Sequence, residues 1–318
     1  MKKAYKFRLY PTKDQEILIH KTFGCVRYVY NHYLTIKIAL YNSKQANMSY
    51  KDCSADLTML KKQLPWLNDV DSTALQGALR NLFTAYQRFF DNYKNDRKNE
   101  LSDNTYGFPA FKSKAFDRKS YQTRAVKNIK IDYDNNLITL PKIKNIPCVL
   151  TQRLDGRMIN ATVSQTRSKK YYISILCSIE DDDDVPESET GQVFSIDPDI
   201  ELNTIAEEHA DMIKNINNEY KQIEKLRKQL KRSRSDSIRS SKIRCKISKK
   251  YERINNQKTD LLQKATSEIV KNNDIIYVAT DLSTLQQQND KSLSKKDFIR
   301  MLQYKTAWYN KRYISIEY

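Results

Sequence analysis

The chain is short of glycine. Only five occur in 318 residues, Gly24, Gly77, Gly107, Gly156 and Gly191. They lie too far apart to build a GxGxxG turn or a Walker loop, which excludes the usual phosphate cradles of nucleotide-driven enzymes. Five cysteines, at 25, 53, 148, 177 and 245, stand singly with no CxxC pair, so neither a zinc ribbon nor a disulfide framework can be assembled. His20, His32 and His209 fall in separate segments and read as structural. No apolar run approaches the roughly 20 residues of a membrane-spanning helix. The opening MKKAYKFRLYP meets charge and proline before the apolar stretch of a signal peptide could form. A cytoplasmic protein without a membrane partner is expected.

What is abundant is positive charge. There are 56 Lys and Arg against 38 Asp and Glu, a formal net charge of +18. Such an excess points to a polyanionic partner, and with membrane insertion disfavoured that partner is nucleic acid. The length allows two or three folding units.

Residues 1 to 12 alternate Tyr5, Phe7 and Leu9 with Lys6 and Arg8, which predicts a strand with one basic face. Thr12 or Asp14 then caps a helix whose apolar stripe is Leu18, Cys25, Val29, Tyr33, Ile36 and Leu40. A second amphipathic helix is predicted over 72–93. Leu75, Leu79, Leu82, Tyr86 and Phe89 form its buried side, and Thr73, Gln76, Arg80 and Gln87 share another face. Gln and Arg are the side chains that grip adenine and guanine edges in bidentate fashion. From 107 to 124, Phe108, Phe111, Phe116 and Tyr121 interleave with Lys112, Lys114, Arg118, Lys119 and Arg124. This is either a nucleic-acid surface or a loop anchored by its aromatics, and it can be both. Period-two patterns over 129–180 predict two hairpins that close a small barrel with the first strand. EDDDDVPESET at 180–190 reads as an acidic linker.

KAYKFRLYPTKDQ and FGCVRYVYNHYL, followed by DSTALQGALRNLFTAYQRFF and GFPAFKSK, resemble TnpB. That family comprises transposon-encoded RNA-guided nucleases ancestral to type V CRISPR effectors. The resemblance runs in the family's order over most of the chain. It implies an α+β, multi-lobed fold, with a wedge β-barrel (1–13 and 107–185) interrupted by a helical recognition lobe (14–106). A truncated RNase H-like, RuvC-type α/β domain (186–318) follows, with a basic helical hairpin at 219–270 and no zinc ribbon. It further implies a guide RNA with a structured scaffold and a double-stranded DNA target as partners, in the bacterial nucleoid. On this basis Thr73, Gln76, Arg80 and Lys112 are candidate DNA contacts. Lys6, Arg8, Arg118, Arg239, Lys242, Lys246, Lys249 and Arg253 are candidate RNA contacts.

The family's nuclease site is not matched. VFSID keeps Asp197, but Ser195, Pro198 and Asp199 replace the residues around it. LNTIAEEH and ADMIKN are expected to be the next two strands. In NNDIIYVATDLS, Thr280, or Ala279 if the extra residue falls on the other side, stands where the resemblance puts the family's catalytic glutamate, and Asp281 follows. LSKKDFIRMLQYKTAWYNKRYISIEY resembles the family's last shared helix and strand, and the segment bearing the third acid is missing. One carboxylate cannot hold two metal ions, so no catalytic metal is expected. Between Lys221 and Lys258, by contrast, fifteen Lys and Arg face three acids, in a pattern of two helices broken near 233–237. The sequence therefore predicts a nuclease-dead, RNA-guided repressor, similar to the TnpB-derived TldR proteins. The alternatives are a reduced nuclease using Asp197 and Asp281, or a transposon remnant that only binds RNA.

Overall fold

The computed structural model describes residues 2–97, 107–114, 119–179, 191–235, 237–280 and 292–317. The chain divides into two compact units at 181/182.

The first unit joins a seven-stranded antiparallel sheet to three helices. Strand β1 (Lys2–Leu9) leads into α1 (Lys13–Asn42), then α2 (Tyr50–Gln63), a 3₁₀ turn at Pro65–Asp69 and α3 (Ser72–Arg97). Strands β2 (Lys119–Thr123), β3 (Lys130–Asp132), β4 (Leu137–Leu140), β5 (Ile143–Val149), β6 (Arg157–Gln165) and β7 (Tyr171–Ser178) follow. The sheet order is β2-β6-β7-β1-β5-β4-β3. Inward residues of the sheet, with the start of α1 and Ala74 of α3, meet in one core around Tyr5, Phe7, Tyr121, Ile138, Ile146 and Ile173, and the three helices share a second around Tyr33, Leu57, Leu67 and Leu79.

Two differences from the sequence reading appear here. No ladder joins β2 to β3 among the described residues, so the sheet stays open where a closed barrel was expected. A 3₁₀ turn at Val126–Asn128 takes the chain off the ladder between them. β5, which pattern reading passed over, pairs with both β4 and β1. Asn145 at φ 51° and the ring of Pro147 break its alternation, as left-handed residues and proline do in strands.

Thr12 is the cap of α1, in a reciprocal capping box with Gln15. Beyond Tyr33 and Leu34 the buried position is Lys37, not Ile36. Its ammonium donates to Asn47 Oδ1 at 2.8 Å and Met48 O at 3.0 Å, and sits 4.6 Å from the Phe83 ring centre. The polar head is satisfied while its stem packs as an apolar residue would.

The second unit contains a parallel three-stranded sheet, β8 (Val193–Ile196), β9 (Ile275–Thr280) and β10 (Arg312–Glu317), with β9 in the centre. Helices α4 (Pro198–Glu208), α5 (Ala210–Lys231) and α6 (Ile238–Asn272) connect the first two strands, and α7 (Lys295–Trp308) connects the last two. LNTIAEEH and ADMIKN are thus helical, a correction to the two strands expected there. Asp197 caps α4 through the Asp199 N–H, and Pro198 occupies its first turn, where a missing N–H costs nothing. Leu202, Ile205, Ile216, Tyr220 and Ile223 then repeat at helical intervals into the core. No described helix is long and apolar enough to cross a membrane.

Lys305 locks α7 to α6. Its buried ammonium donates to Gln263 O (2.6 Å), Thr266 Oγ1 (2.7 Å) and Ser267 Oγ (2.7 Å). Burial, with Lys271 nearby, lowers its pKa to about 8, whereas an unfolded lysine titrates near 10.4. The unfolded chain therefore holds the extra proton between those values, so stability rises with pH across that window. Measured against Lys305→Met by urea unfolding, the wild type should gain stability as pH goes from about 8 to 10 and be insensitive to pH through this group below 7.

Candidate nucleic-acid interface

Alternation along β1 places Lys6 and Arg8 on one face, and the antiparallel register sets them opposite Ser174 and Tyr172 of β7. Lys6 Nζ lies 4.6 Å from the Tyr172 ring centre, and the Arg8 guanidinium lies 5.0 Å from that ring and 5.3 Å from Tyr10. Arg8 Nη1 is buried with no hydrogen-bond partner. A cation held over aromatic rings keeps its charge, which suits it to phosphate and base contacts.

The four candidate DNA contacts divide by environment. Thr73 is bound up inside its own unit. Its hydroxyl donates to Asp71 Oδ2 at 2.8 Å and lies 2.8 Å from the Thr123 hydroxyl, and it accepts the Arg124 N–H at 3.3 Å. This network ties the start of α3 to β2, and Gly77 lets the two approach closely, since a Cβ there would stand 3.0 Å from Gln122 O. Gln76 is half-buried on α3. Arg80 turns toward the Tyr50 hydroxyl at 3.5 Å, with its Nε buried and unpartnered. The Lys112 backbone exchanges two 2.8 Å hydrogen bonds with the Asn31 side chain, and its ammonium sits 3.9 Å from the Tyr30 ring centre. The segment at 107–114 is thereby pinned to α1, and Phe108 is clasped edge-on by Tyr86 and Phe89. Arg118 lies outside the described residues.

In the second unit, α5 and α6 form a hairpin seamed by Ile216, Tyr220, Ile223 and Ile254. Arg239, Lys242, Lys246, Lys249 and Arg253 form an exposed stripe at three- and four-residue spacing along α6. Arg253 shares Glu219 with Lys250, at 3.3 and 2.7 Å, so part of its charge is already answered.

The end of β8 holds the acids. Ile196 lies opposite Val278, which brings Asp197 and the Ala279–Thr280 end of β9 to the same edge of the sheet. Asp197 is occupied as a helix cap, accepting the Asp199 N–H at 2.9 Å. Asp199 pairs with the almost fully buried ammonium of Lys295 at 2.7 Å. Neither acid is therefore without a partner, since one accepts from a backbone amide and the next pairs with an internal cation. Nor is any group of three His, Cys, Asp or Glu side chains gathered for a metal among the described residues. Asp281 falls outside them.

Sequence reasoning missed a further cluster. Arg27, Lys112, Lys114 and Lys119 converge on a cleft of about 240 Å³ bounded by α1, α3 and β2. Burial, then Lys114, Lys169 and Arg27, disfavour the charged form of Lys119. The three lysines belong to the basic stretch already noted in the sequence, but Arg27 is far from them along the chain, and the pinning of 107–114 onto α1 brings them together.

Two family models match this chain, a "Helix-turn-helix domain" of OrfB_IS605 over residues 1–46 and an OrfB_IS605 "Probable transposase" over residues 174–287. The chain belongs to the OrfB_IS605 family, the TnpB proteins. The first match spans β1 and the unbroken α1, so in this TnpB-family chain those residues form a strand and one long helix. The second runs from β7 through the basic hairpin to β9. A "Putative RNA-guided DNA endonuclease" of Streptomyces pristinaespiralis is 28% identical over 333 aligned positions, covering 100% of this chain and 78% of that protein. "Putative RNA-guided DNA endonuclease InsQ" of Escherichia coli K12 is 27% identical, over 86% of this chain and 65% of that protein. A solved Cas12f1–sgRNA–target DNA complex aligns with the whole chain at 9% identity and a TM-score of 0.31.

Asp71 is the hub that fixes α3 on β2. Asp71→Ala strips the cap from α3 and leaves the buried Thr123 hydroxyl short of an acceptor, and is expected to cost about 1–3 kcal/mol in urea unfolding. Asp71→Asn, which keeps one acceptor oxygen, should lose less.

Proposed function

We propose that this protein is an RNA-guided DNA-binding protein without nuclease activity, which represses transcription by occupying a guide-matched promoter beside a short adjacent motif. The observation that carries this reading is the contrast between acids and bases. Asp197 and Asp199 are engaged by an amide and by Lys295, while Lys242, Lys246 and Lys249 stand exposed along α6. Guide RNA supplies sequence specificity by base pairing, and the protein holds the near-balanced strand exchange in place through the backbone. Membership of a family with relatives named as RNA-guided DNA endonucleases supports RNA and DNA as the partners.

A reporter driven by a guide-matched promoter should be silenced when protein and RNA are both present, and Asp197→Ala should silence it equally. Magnesium-dependent cleavage that vanishes in Asp197→Ala would overturn the reading in favour of a reduced nuclease using Asp197 and Asp281. Purification from the native host should bring down one abundant RNA with a structured scaffold and a guide-length tail. Heterogeneous RNA, or none, would favour a transposon remnant.

The α6 stripe has its own signature. Each phosphate contact removed lowers the salt dependence of single-stranded binding by about 0.7 in log–log slope. Replacing Lys242, Lys246 and Lys249 together by Ala should therefore weaken RNA binding and flatten the slope by about 2.

A further inference from the structure

Gly24 sits inside the thirty-residue helix α1 with ordinary helical φ, and a Cβ added to it would enter open space. The fold itself gives no reason for glycine there. Gly77 is different, because the Gln122 carbonyl crowds its missing side chain. A glycine in a helix interior destabilises it relative to alanine, so the bare backbone at 24 costs α1 stability.

What surrounds Gly24 is specific. One turn and two turns on, along the same face, come Arg27, Tyr28, Asn31 and His32. Tyr28 and His32 stack at 5.7 Å with their planes 16° apart, and Trp66 from the 3₁₀ turn meets Tyr28 edge-on at 5.1 Å. Tyr28 and Trp66 are 38% and 37% exposed, so this aromatic group presents its surface to solvent. Arg27 is shared between this shallow face and the cleft holding Lys114 and Lys119. Among the described residues no carboxylate forms an ion pair with any of those three cations.

We propose that the face of α1 around Gly24 is a docking track for an unpaired RNA segment. A backbone phosphate is seated by Arg27, Lys114 and Lys119, a base lies against Tyr28, His32 and Trp66, and the strand passes over the uncovered backbone at Gly24. Cations and planar rings side by side match the alternating phosphate and base of a single strand. RNA is favoured over duplex DNA because stacking on a side chain needs a base face that a closed B-form duplex keeps inside its own stack, while RNA recognition is directed at unpaired bases. The inference rests on the RNA-guided reading above and names one place where that RNA lies.

The test uses the full chain and a fluorescein-labelled 12-nucleotide oligouridine RNA, followed by anisotropy. Gly24→Leu should raise the melting temperature, since Leu is the better helix former, yet weaken RNA binding about tenfold or more by filling the track. Tyr28→Ala should weaken it roughly 5- to 30-fold. In a Trp308→Phe background, where Trp66 alone reports, RNA should quench the emission. Gly24→Leu and Tyr28→Ala proteins that bind within twofold of wild type, with no quenching, would overturn the track. Equal loss of affinity for a 12-base-pair DNA duplex would overturn its assignment to unpaired RNA. The two readings fail separately. Absence of any co-purifying RNA sinks the RNA-guided function, whereas native RNA recovered in undiminished yield with Gly24→Leu sinks only the track.

Discussion

A net charge of +18 must be housed somewhere, and much of this architecture follows from how lysine and arginine are housed. Like charges crowded on a compact body repel one another, and an ammonium drawn inside is tolerated only when its protons are answered. Among the described residues three lysines are drawn inside, each on a different kind of acceptor. Lys37 has carbonyl oxygens and rings, Lys305 has a carbonyl and two hydroxyls, and Lys295 has the carboxylate of Asp199. Each ties together pieces of chain distant in sequence. The other cations are spread along β1, around the cleft beside α1, and down α6. On β1 and beside α1 several of these cations lie over aromatic rings, while acids answer Lys3 on β1 and Lys250, Arg253 and Lys264 on α6.

That arrangement explains why a basic patch and a stable fold coexist here. Stacking a cation over a ring holds it in place without neutralising it, so its field still reaches an incoming polyanion. Lys6 and Arg8 over Tyr172, and Lys112 over Tyr30, are held in this manner. The acids near the start of the second unit serve the opposite purpose, since Asp197 and Asp199 spend their charge on a helix terminus and a buried lysine.

Elements with a strong local period were legible in the chain. The long spacing of apolar residues in α1 and α3, the β6–β7 hairpin and the α5–α6 pair all announce themselves. Where the period was interrupted or ambiguous, reading failed. β5 was hidden by Asn145 and Pro147, and the short apolar groups of α4 and the start of α5 were mistaken for strands because few turns of either period are present to decide. The cap at Asp197 and Pro198 was the local signal that should have prevailed. At the site, individual cations could be nominated, but not their surroundings. Thr73 has the right chemistry and position on the helix, yet Asp71 and Thr123, about fifty residues apart, enlist its hydroxyl. The Arg27–Lys114–Lys119 cluster depends on the Asn31–Lys112 clasp, a long-range pairing that no window of sequence contains.

The order of the small parallel sheet has a bearing on how the protein is made. β9 is the centre, and among the described residues both its neighbours hydrogen-bond only to it. During synthesis β8 leaves the ribosome with no partner and stays so while about eighty more residues emerge, because Val193 pairs with Ile275. Over that interval the structure available to the second unit is local, in α4 and the α5–α6 hairpin. The most basic part of the chain thus lies wholly between two strands that cannot pair until it has been made.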